Sequence, residues 1–345
     1  MVVVQQRRMT AFFEPQQPAA SGDRERVHAP STLESPGKFV DLFAGIGGAS
    51  TGAMNAGYDV VLAVDSWKLA LDVHRRNHPH TKHLCIELPP TEPLPLPAAG
   101  ERWHLHGSPP CTKLSGAARY ARDDARVSRE TAEGLEMVKW YLDFALASHA
   151  TTWSMEQVNH EGVRRLLQSY SRPCSPHRNN IAWAIFNCNI LGVPQNRKRI
   201  IAGSPKLISH LRCTRKRRVA VREVISHPRG THIRNETLYQ GKRGMGRIKY
   251  NKDGLCKSIN TQSHTIVAYK PLRWTTPSDS EAPLKRLSTY ESSRIQGFPE
   301  GYALPAGVVN GGRGVGNAVP PPVMQHLLTP RARCVSPSLL WRPSS

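Results

Sequence analysis

From Lys38 onward, short runs of β-branched and apolar residues alternate with stretches whose apolar positions recur at helical spacing. Phe39 to Phe43 and Val60 to Val64 read as strands. Each leads into a helical stretch, the first over Ala49 to Ala56 and closed by Gly57, the second from Trp67 to about Asn77. Arg102 to His106 is again strand-like. A long amphipathic helix is predicted over roughly Ser128 to Ser148, where Leu135, Val138, Tyr141, Leu142, Ala145 and Leu146 share a face. Strands near residues 152–156, 182–187 and 198–203 continue the alternation. This succession predicts an α/β fold, a doubly wound, mostly parallel Rossmann-like sheet with helices on both faces.

The rhythm stops near Pro205. Residues 206–283 carry few helix signals, several glycines and short β-prone pieces such as Thr265 to Tyr269. They predict a smaller, loop-rich lobe inserted into the main domain near its C-terminal end. A helical pattern resumes over Ser288 to Gln296, and a Gly-Asn turn precedes a proline-led helix at 317–328. The expected organisation is a mobile tail over 1–36, a main domain over 37–205 and 284–328, the lobe over 206–283, and a loose tail over 329–345.

Charge adds a partner to this picture. The chain has a formal net charge of +21 and a pI of about 10.1, and residues 206–283 alone hold 17 Lys and Arg against 5 Asp and Glu. An excess concentrated in one lobe points to a polyanion, with nucleic acid the first candidate. Seven cysteines without a Cys-x-x-Cys pair, and no signal-like apolar start, predict a reducing cytoplasm. No run approaches the length of a membrane span. Cys174-x-x-His177 lacks a second pair at ligand spacing, so no metal is expected.

Four places carry candidate chemistry. Gly45-Ile46-Gly47-Gly48 follows a strand and opens a helix, so backbone can approach a ligand at the strand's carboxyl edge. Asp65 ends the next strand, where an acid can grip ribose hydroxyls, and Trp67 can stack on an adenine. Gly107-Ser108-Pro109-Pro110-Cys111 presents a thiol after two prolines that restrict the backbone. A helix N-terminus or nearby cations can raise its thiolate fraction. Glu156 ends the strand-like run that begins at Thr152.

The ordered blocks DLFAGIGG at 41–48, Asp65-Ser66-Trp67, PPC at 109–111, Met155-Glu156-Gln157-Val158, Gly192 through Arg199, Arg294 through Pro299 and Gly316 through Val319 identify a resemblance. Over about residues 38 to 328 the chain resembles the cytosine-5 DNA methyltransferases. The resemblance implies a methyltransferase sheet and S-adenosylmethionine as methyl donor. It implies that the Cys111 thiolate adds to carbon 6 of the target cytosine, and that Glu156 bonds ring nitrogen 3 and the exocyclic amine. Arg199 would reach the flipped base, with Arg197 supporting the loop. Phe43, Ala44, Gly45, Gly47, Gly48, Asp65, Trp67, Pro109 and Asn317 would form the cofactor site, with Glu87 a looser match to the acid on the adenine amine. The lobe would be the target-recognition domain, with Ser115, Gln195 and Thr265 on DNA. Arg243 and Arg247, beside glycines in this irregular basic segment, read from the residues themselves as candidates for base contacts. Gln157 stands where the family usually has an asparagine that braces the cysteine loop. Thr112-Lys113-Leu114 replaces the usual Gln-x-Phe.

Double-stranded DNA is the implied partner, bound by a monomeric enzyme of the bacterial or phage-infected cytoplasm. The sequence leaves open whether a cognate restriction endonuclease accompanies it. Two other readings remain, a tRNA cytosine-5 methyltransferase on the same fold and a non-catalytic nucleic-acid-binding relative. The long insert counts against the first, and retention of Cys111, Glu156, Arg197 and Arg199 against the second.

Overall fold

A computed structural model describes residues 36–110, 114, 124–225, 232–235, 256–257, 272–275 and 288–329. The elements up to residue 171 are β1 (Lys38–Leu42), α1 (Gly48–Asn55), β2 (Asp59–Asp65), α2 (Lys68–Asn77), β3 (Lys82–Cys85), β4 (Trp103–Gly107), α3 (Asp124–Ala147), β5 (Thr152–Val158) and α4 (Glu161–Ser171). Then come β6 (Ala182–Asn187), β7 (Gln195–Asn196), β8 (Lys198–Gly203), α5 (Pro205–Cys213), β9 (His232–Asn235), β10 (Cys256–Lys257) and β11 (Leu272–Thr275). Helices α6 (Thr289–Gln296), α7 (Val308–Asn317) and α8 (Pro321–Leu328) follow.

Seven strands form one sheet in the order β3-β2-β1-β4-β5-β8-β6. Pairings among β1 to β5 are parallel, and β8 runs antiparallel between β5 and β6. The alternation anticipated a mostly parallel sheet, but periodicity within a strand carries no direction, so the reversal of β8 was not legible. It matters for function. Because β8 is reversed, its first residues lie beside the last residues of β5, and Val158 faces Arg199 across the ladder.

Strand alternation places the core on both faces of the sheet. Val40, Leu42, Leu62, Leu105 and Met155 pack with Val138, Tyr141 and Leu142 of α3 on one side. Phe39, Val60 and Ile201 pack with Ala49, Ala53, Val323 and Leu327 of α1 and α8 on the other. Each of these side chains is at least nine-tenths buried, contributing about 1.5–3 kcal/mol when a Val, Leu, Ile, Phe or Met is fully covered.

The division expected between residues 205 and 206 is corrected. Ile208 and Leu211 of α5 lie in the same core as Phe186 and Leu191, and Val221 and Ile225 pack with Ile46, Ile295 and Phe298. Residues 206–225 therefore belong to the main fold. Within the expected lobe, β9 pairs antiparallel with β11, and β10 pairs parallel with β7 of the main fold. The proline-led helix starts at Pro321, and Asn317 instead ends α7. Among the described residues no helix is long and apolar enough to cross a membrane.

Candidate active site

The glycine turn after β1 is held from two sides. Phe43 takes a positive φ of 60° and Gly45 one of 55°. Gly47 caps α1 in the left-handed region at φ 95°, a conformation that non-glycine residues adopt at a cost. A Cβ on Gly47 would meet Tyr302 Oη at 2.7 Å and His78 Nε2 at 2.9 Å, so this side of the turn is filled. The other side is open, since a Cβ on Gly45 would meet nothing within 4 Å. Ala44 N–H donates to the Val64 carbonyl at 3.0 Å.

Asp65 locks turn and strand together. Its Oδ2 accepts from Gly45 N–H at 2.8 Å and its Oδ1 from Trp67 N–H at 2.8 Å. Burial pushes its carboxyl above the usual range, and these N–H bonds and the Arg313 charge pull the other way. Each oxygen keeps a lone pair that a ribose hydroxyl can use. Sequence reasoning missed Arg313, whose guanidinium sits over one face of the Trp67 ring at 4.2 Å, a cation–π contact. Phe43 meets Trp140 edge-on at 6.2 Å. Glu87 is exposed just beyond β3, and Asn317 is exposed at the end of α7.

The loop after β4 is pinned as it leaves the sheet. Ser108 N–H donates to the Leu42 carbonyl at 3.2 Å. Gln157 Nε2 donates to the Pro109 carbonyl at 3.0 Å, and both partners are buried. The longer amide thus makes a bond to the cysteine loop. Cys111, Ser115 and the intervening positions except Leu114 lie outside the described residues, as do Arg243, Arg247 and Thr265.

Beside that loop, Glu156 Oε1 lies 2.9 Å from Arg199 Nε, with the two side chains 8% and 12% exposed. The separation is that of an ion pair, yet no aligned hydrogen bond reaches Glu156 Oε1. We read the contact as coulombic: the guanidinium holds the carboxyl in place without consuming its hydrogen-bonding directions. A buried acid with unspent directions near the C-terminal end of β5 is suited to reading a polar ring.

The comparisons decide the family. The family described as C-5 cytosine-specific DNA methylase matches residues 37–138 and 204–330, more than half of the chain. The chain belongs to the C-5 cytosine-specific DNA methylases. It is 29% identical over 295 residues to the Type II methyltransferase M.HgiDI of Herpetosiphon aurantiacus, covering 82% of this chain and 90% of that protein. It is 23% identical over 321 residues to the Type II methyltransferase M.MthTI of Methanothermobacter thermautotrophicus, covering 84% and 95%. Among solved structures, a protein from an E. coli prophage described as a DNA modification methyltransferase shares the fold. Its TM-score is 0.54 at 17% identity, over 85% of this chain and 97% of that one.

Two residues of the expected site are buried in this methylase. Gln195, expected on DNA, is fully buried and donates to Gln296 Oε1 at 2.6 Å and to the Ile295 carbonyl at 3.2 Å. Arg197, placed with the catalytic residues, is 1% exposed. Its guanidinium donates to the Gly316 carbonyl at 3.1 Å and the Ala318 carbonyl at 3.3 Å. Arg199 lies beside Glu156, while Arg197, just before β8, ties the entry to that strand to the Gly-Asn turn. Gln296 Nε2 donates to the same Ala318 carbonyl at 2.6 Å, which completes that tie.

A second thiol lies near the methylase's site. Cys188 is buried and feels the charges of Arg197, Arg199 and Glu156, but burial pushes its pKa up to about 11. It stays a thiol and an inert one. The chain also carries a basic ridge after α5, with Arg212, Arg215, Lys216, Arg217 and Arg218 all exposed. Lys216 N–H donates to the Ile190 carbonyl at 2.9 Å, which holds the ridge against the loop that precedes β7. Among the described residues no group of His, Cys, Asp and Glu could hold a metal.

Proposed function

We propose that this methylase transfers the methyl group of S-adenosylmethionine to carbon 5 of a cytosine flipped out of duplex DNA at a specific site, through a covalent adduct on Cys111. The observation that carries the reading is Glu156 paired with Arg199 beside a cysteine loop that Gln157 braces. The cofactor supplies, when bound, a methyl group on positively charged sulfur. The residues fit such a group: there is open space above Gly45, Asp65 offers lone pairs at the edge of that space, and Trp67 and Glu87 follow the ends of β2 and β3.

The chain's own residues account for the activation of the base. Carbon 5 of cytosine is a poor nucleophile. Addition of the Cys111 thiolate to carbon 6 converts the ring to an enamine-like nucleophile. Glu156 holds ring nitrogen 3 and shares a proton with it as charge develops, and Arg199 keeps the acid oriented. Loss of the carbon 5 proton then expels the thiolate. Extrusion of the base costs a few kcal/mol, because neither ring face is reachable inside the stack. Phosphate contacts fall to the basic ridge, with Ser115 near the nucleophile. Base reading falls to the segment that holds Arg243, Arg247 and Thr265, and its kinship with Type II methyltransferases suits a short duplex site.

Duplex DNA carrying 5-fluorocytosine tests this, since fluorine cannot leave as the carbon 5 proton does. Wild-type protein with cofactor is expected to form a denaturant-resistant adduct that Cys111→Ser does not form. Bisulfite sequencing of DNA from cells expressing the protein is expected to show one protected sequence. An adduct formed equally by Cys111→Ser overturns the assignment.

A further inference from the structure

The strand that leads to the cysteine loop and the strand that carries the proposed acid also carry a buried polar ladder. Parallel pairing sets His104 beside Thr152 and His106 beside Ser154. His104 Nδ1 meets Thr152 Oγ1 at 2.8 Å and His104 Nε2 meets Ser154 Oγ at 2.8 Å. His106 Nδ1 meets the same Ser154 Oγ at 2.9 Å, and His106 Nε2 meets Ser108 Oγ at 2.9 Å. Both imidazoles are at most 1% exposed, and Phe39 stacks on them at 5.4 Å and 6.2 Å. All four ring nitrogens have a partner.

The chemistry of these groups makes the ladder a single unit. Burial holds both histidines well below their ordinary protonation range, so each ring has one N–H and one acceptor nitrogen. Ser154 has one O–H to give. The four links need four protons, and the three interior groups supply three. The fourth comes from Thr152 or Ser108, and when all three interior protons lie in the links every bond points the same way along the chain. Each ring is held from both sides, and bonds in such a chain polarise one another beyond what separate bonds provide.

The ladder climbs toward the reacting groups. Residues two apart on a strand share a face, so Ser108 follows His106 on β4's path and Glu156 follows Ser154 on β5. Ser108 lies three residues before Cys111, and its side chain meets the last link as its N–H meets Leu42. Neither the glycine turn nor the Glu156–Arg199 pair accounts for two histidines buried here.

We propose that Thr152, His104, Ser154 and His106 form a hydrogen-bonded wire that ends on Ser108 and sets where the cysteine loop leaves the sheet, making these five positioning residues for Cys111. This rests on the reading of Cys111 as nucleophile. The wire fixes the loop from the sheet side, and Gln157 fixes the next residue, Pro109, from β5.

The test measures single-turnover methylation at saturating DNA and cofactor, both dissociation constants, and the melting temperature. Ser108→Ala removes the last partner on a partly exposed residue, so the fold is expected to survive. Its rate is expected to fall about 10-fold, as for one lost buried hydrogen bond, with both dissociation constants unchanged and the melting temperature lowered by only a few degrees. Ser108→Thr, which keeps the hydroxyl, is expected to recover the rate. In protein labelled at histidine nitrogen, exchange-protected imidazole N–H signals of His104 and His106 are expected, with that of His106 perturbed in Ser108→Ala. A full rate in Ser108→Ala, or a Ser108→Thr protein as slow as Ser108→Ala, overturns the role. Absence of the protected signals in wild type overturns the wire whatever the activity. A wild type that makes no 5-methylcytosine overturns the functional reading and with it the positioning role, while the signals still report whether the wire exists.

Discussion

Gln157 Nε2 donates to the Pro109 carbonyl at 3.0 Å, spanning from β5 to the loop that leads to Cys111. The bond is made by a side chain one methylene longer than the family's usual asparagine, so the loop is placed to suit Gln157. Gln157→Asn shortens the reach and leaves a buried carbonyl without this donor. Net losses of about 1–2 kcal/mol follow from such a break, a factor of roughly 5–30 in rate. Single-turnover rates should fall by that factor at constant DNA affinity. A rate equal to wild type would show that the bond does not position the loop.

Arg197, just before β8, and Arg199 within it should separate by phenotype. Arg197→Ala leaves the Gly316 and Ala318 carbonyls short of a charged donor, a loss of about 1.5–3 kcal/mol per bond, and should lower the melting temperature. Arg199→Ala should abolish most turnover, because Glu156 then loses its holder, and whatever melting temperature it loses should be restored in Arg199→Ala/Glu156→Gln, which no longer carries an unpaired buried carboxylate. Equal destabilisation by both variants that the double change does not restore would remove the distinction.

Asp65→Asn replaces one acceptor oxygen by an amide that cannot accept from Gly45 or Trp67. Cofactor affinity should weaken by roughly 10-fold or more, consistent with about 1–3 kcal/mol for a buried donor left unsatisfied. Affinity for DNA should not change. Titration calorimetry with the cofactor checks this, and an unchanged dissociation constant would place the nucleoside elsewhere.

Charge reversal at Arg215 and Lys216 should weaken DNA binding to all sequences alike. The slope of log affinity against log salt should fall by about 0.9 for each phosphate no longer neutralised. Fluorescence anisotropy over a salt series measures it. Weakening confined to one sequence would make the ridge a reader of bases.

Asp41 supplies a pH signature. Burial pushes its carboxyl up to about 7 against the bonds from Ser50. The folded acid therefore holds its proton more tightly than the unfolded one. Its stabilising contribution is present below the ordinary carboxylate range and is lost as pH rises toward that value. Asp41→Asn stays neutral, so its stability relative to wild type should grow by roughly 3 kcal/mol from about pH 4 to about pH 7.5. Burial lowers His78 to about 4 and His106 to about 3. Both give the opposite slope, lost as pH falls below the ordinary imidazole range, and they cancel in the difference. Parallel urea-unfolding curves at the two pH values would contradict the burial of an ionisable Asp41.

Local patterning along the chain determined the strands from β1 to β6 other than β3, the first two helices and the long α3, because period and turn residues act within a few positions. It missed α7, a helix containing Gly311, Gly312, Gly314 and Gly316. Each glycine costs about 1 kcal/mol in helix propensity, and only packing explains them: a Cβ on Gly314 would meet Ile46 at 2.9 Å. Propensity is local, whereas that contact joins residues far apart in sequence.

The types of residue in the site were likewise determined by sequence, since a thiol, an acid, an arginine pair and a glycine turn are chemical facts about single positions. Which partner each one meets was decided by the tertiary structure. The antiparallel entry of β8 sends Arg199 to Glu156 and Arg197 inward, buries Gln195, and hands the Ala318 carbonyl to Gln296. Strand direction and strand order arise from burying both faces of one sheet at once, a condition on the whole chain that no window of residues contains.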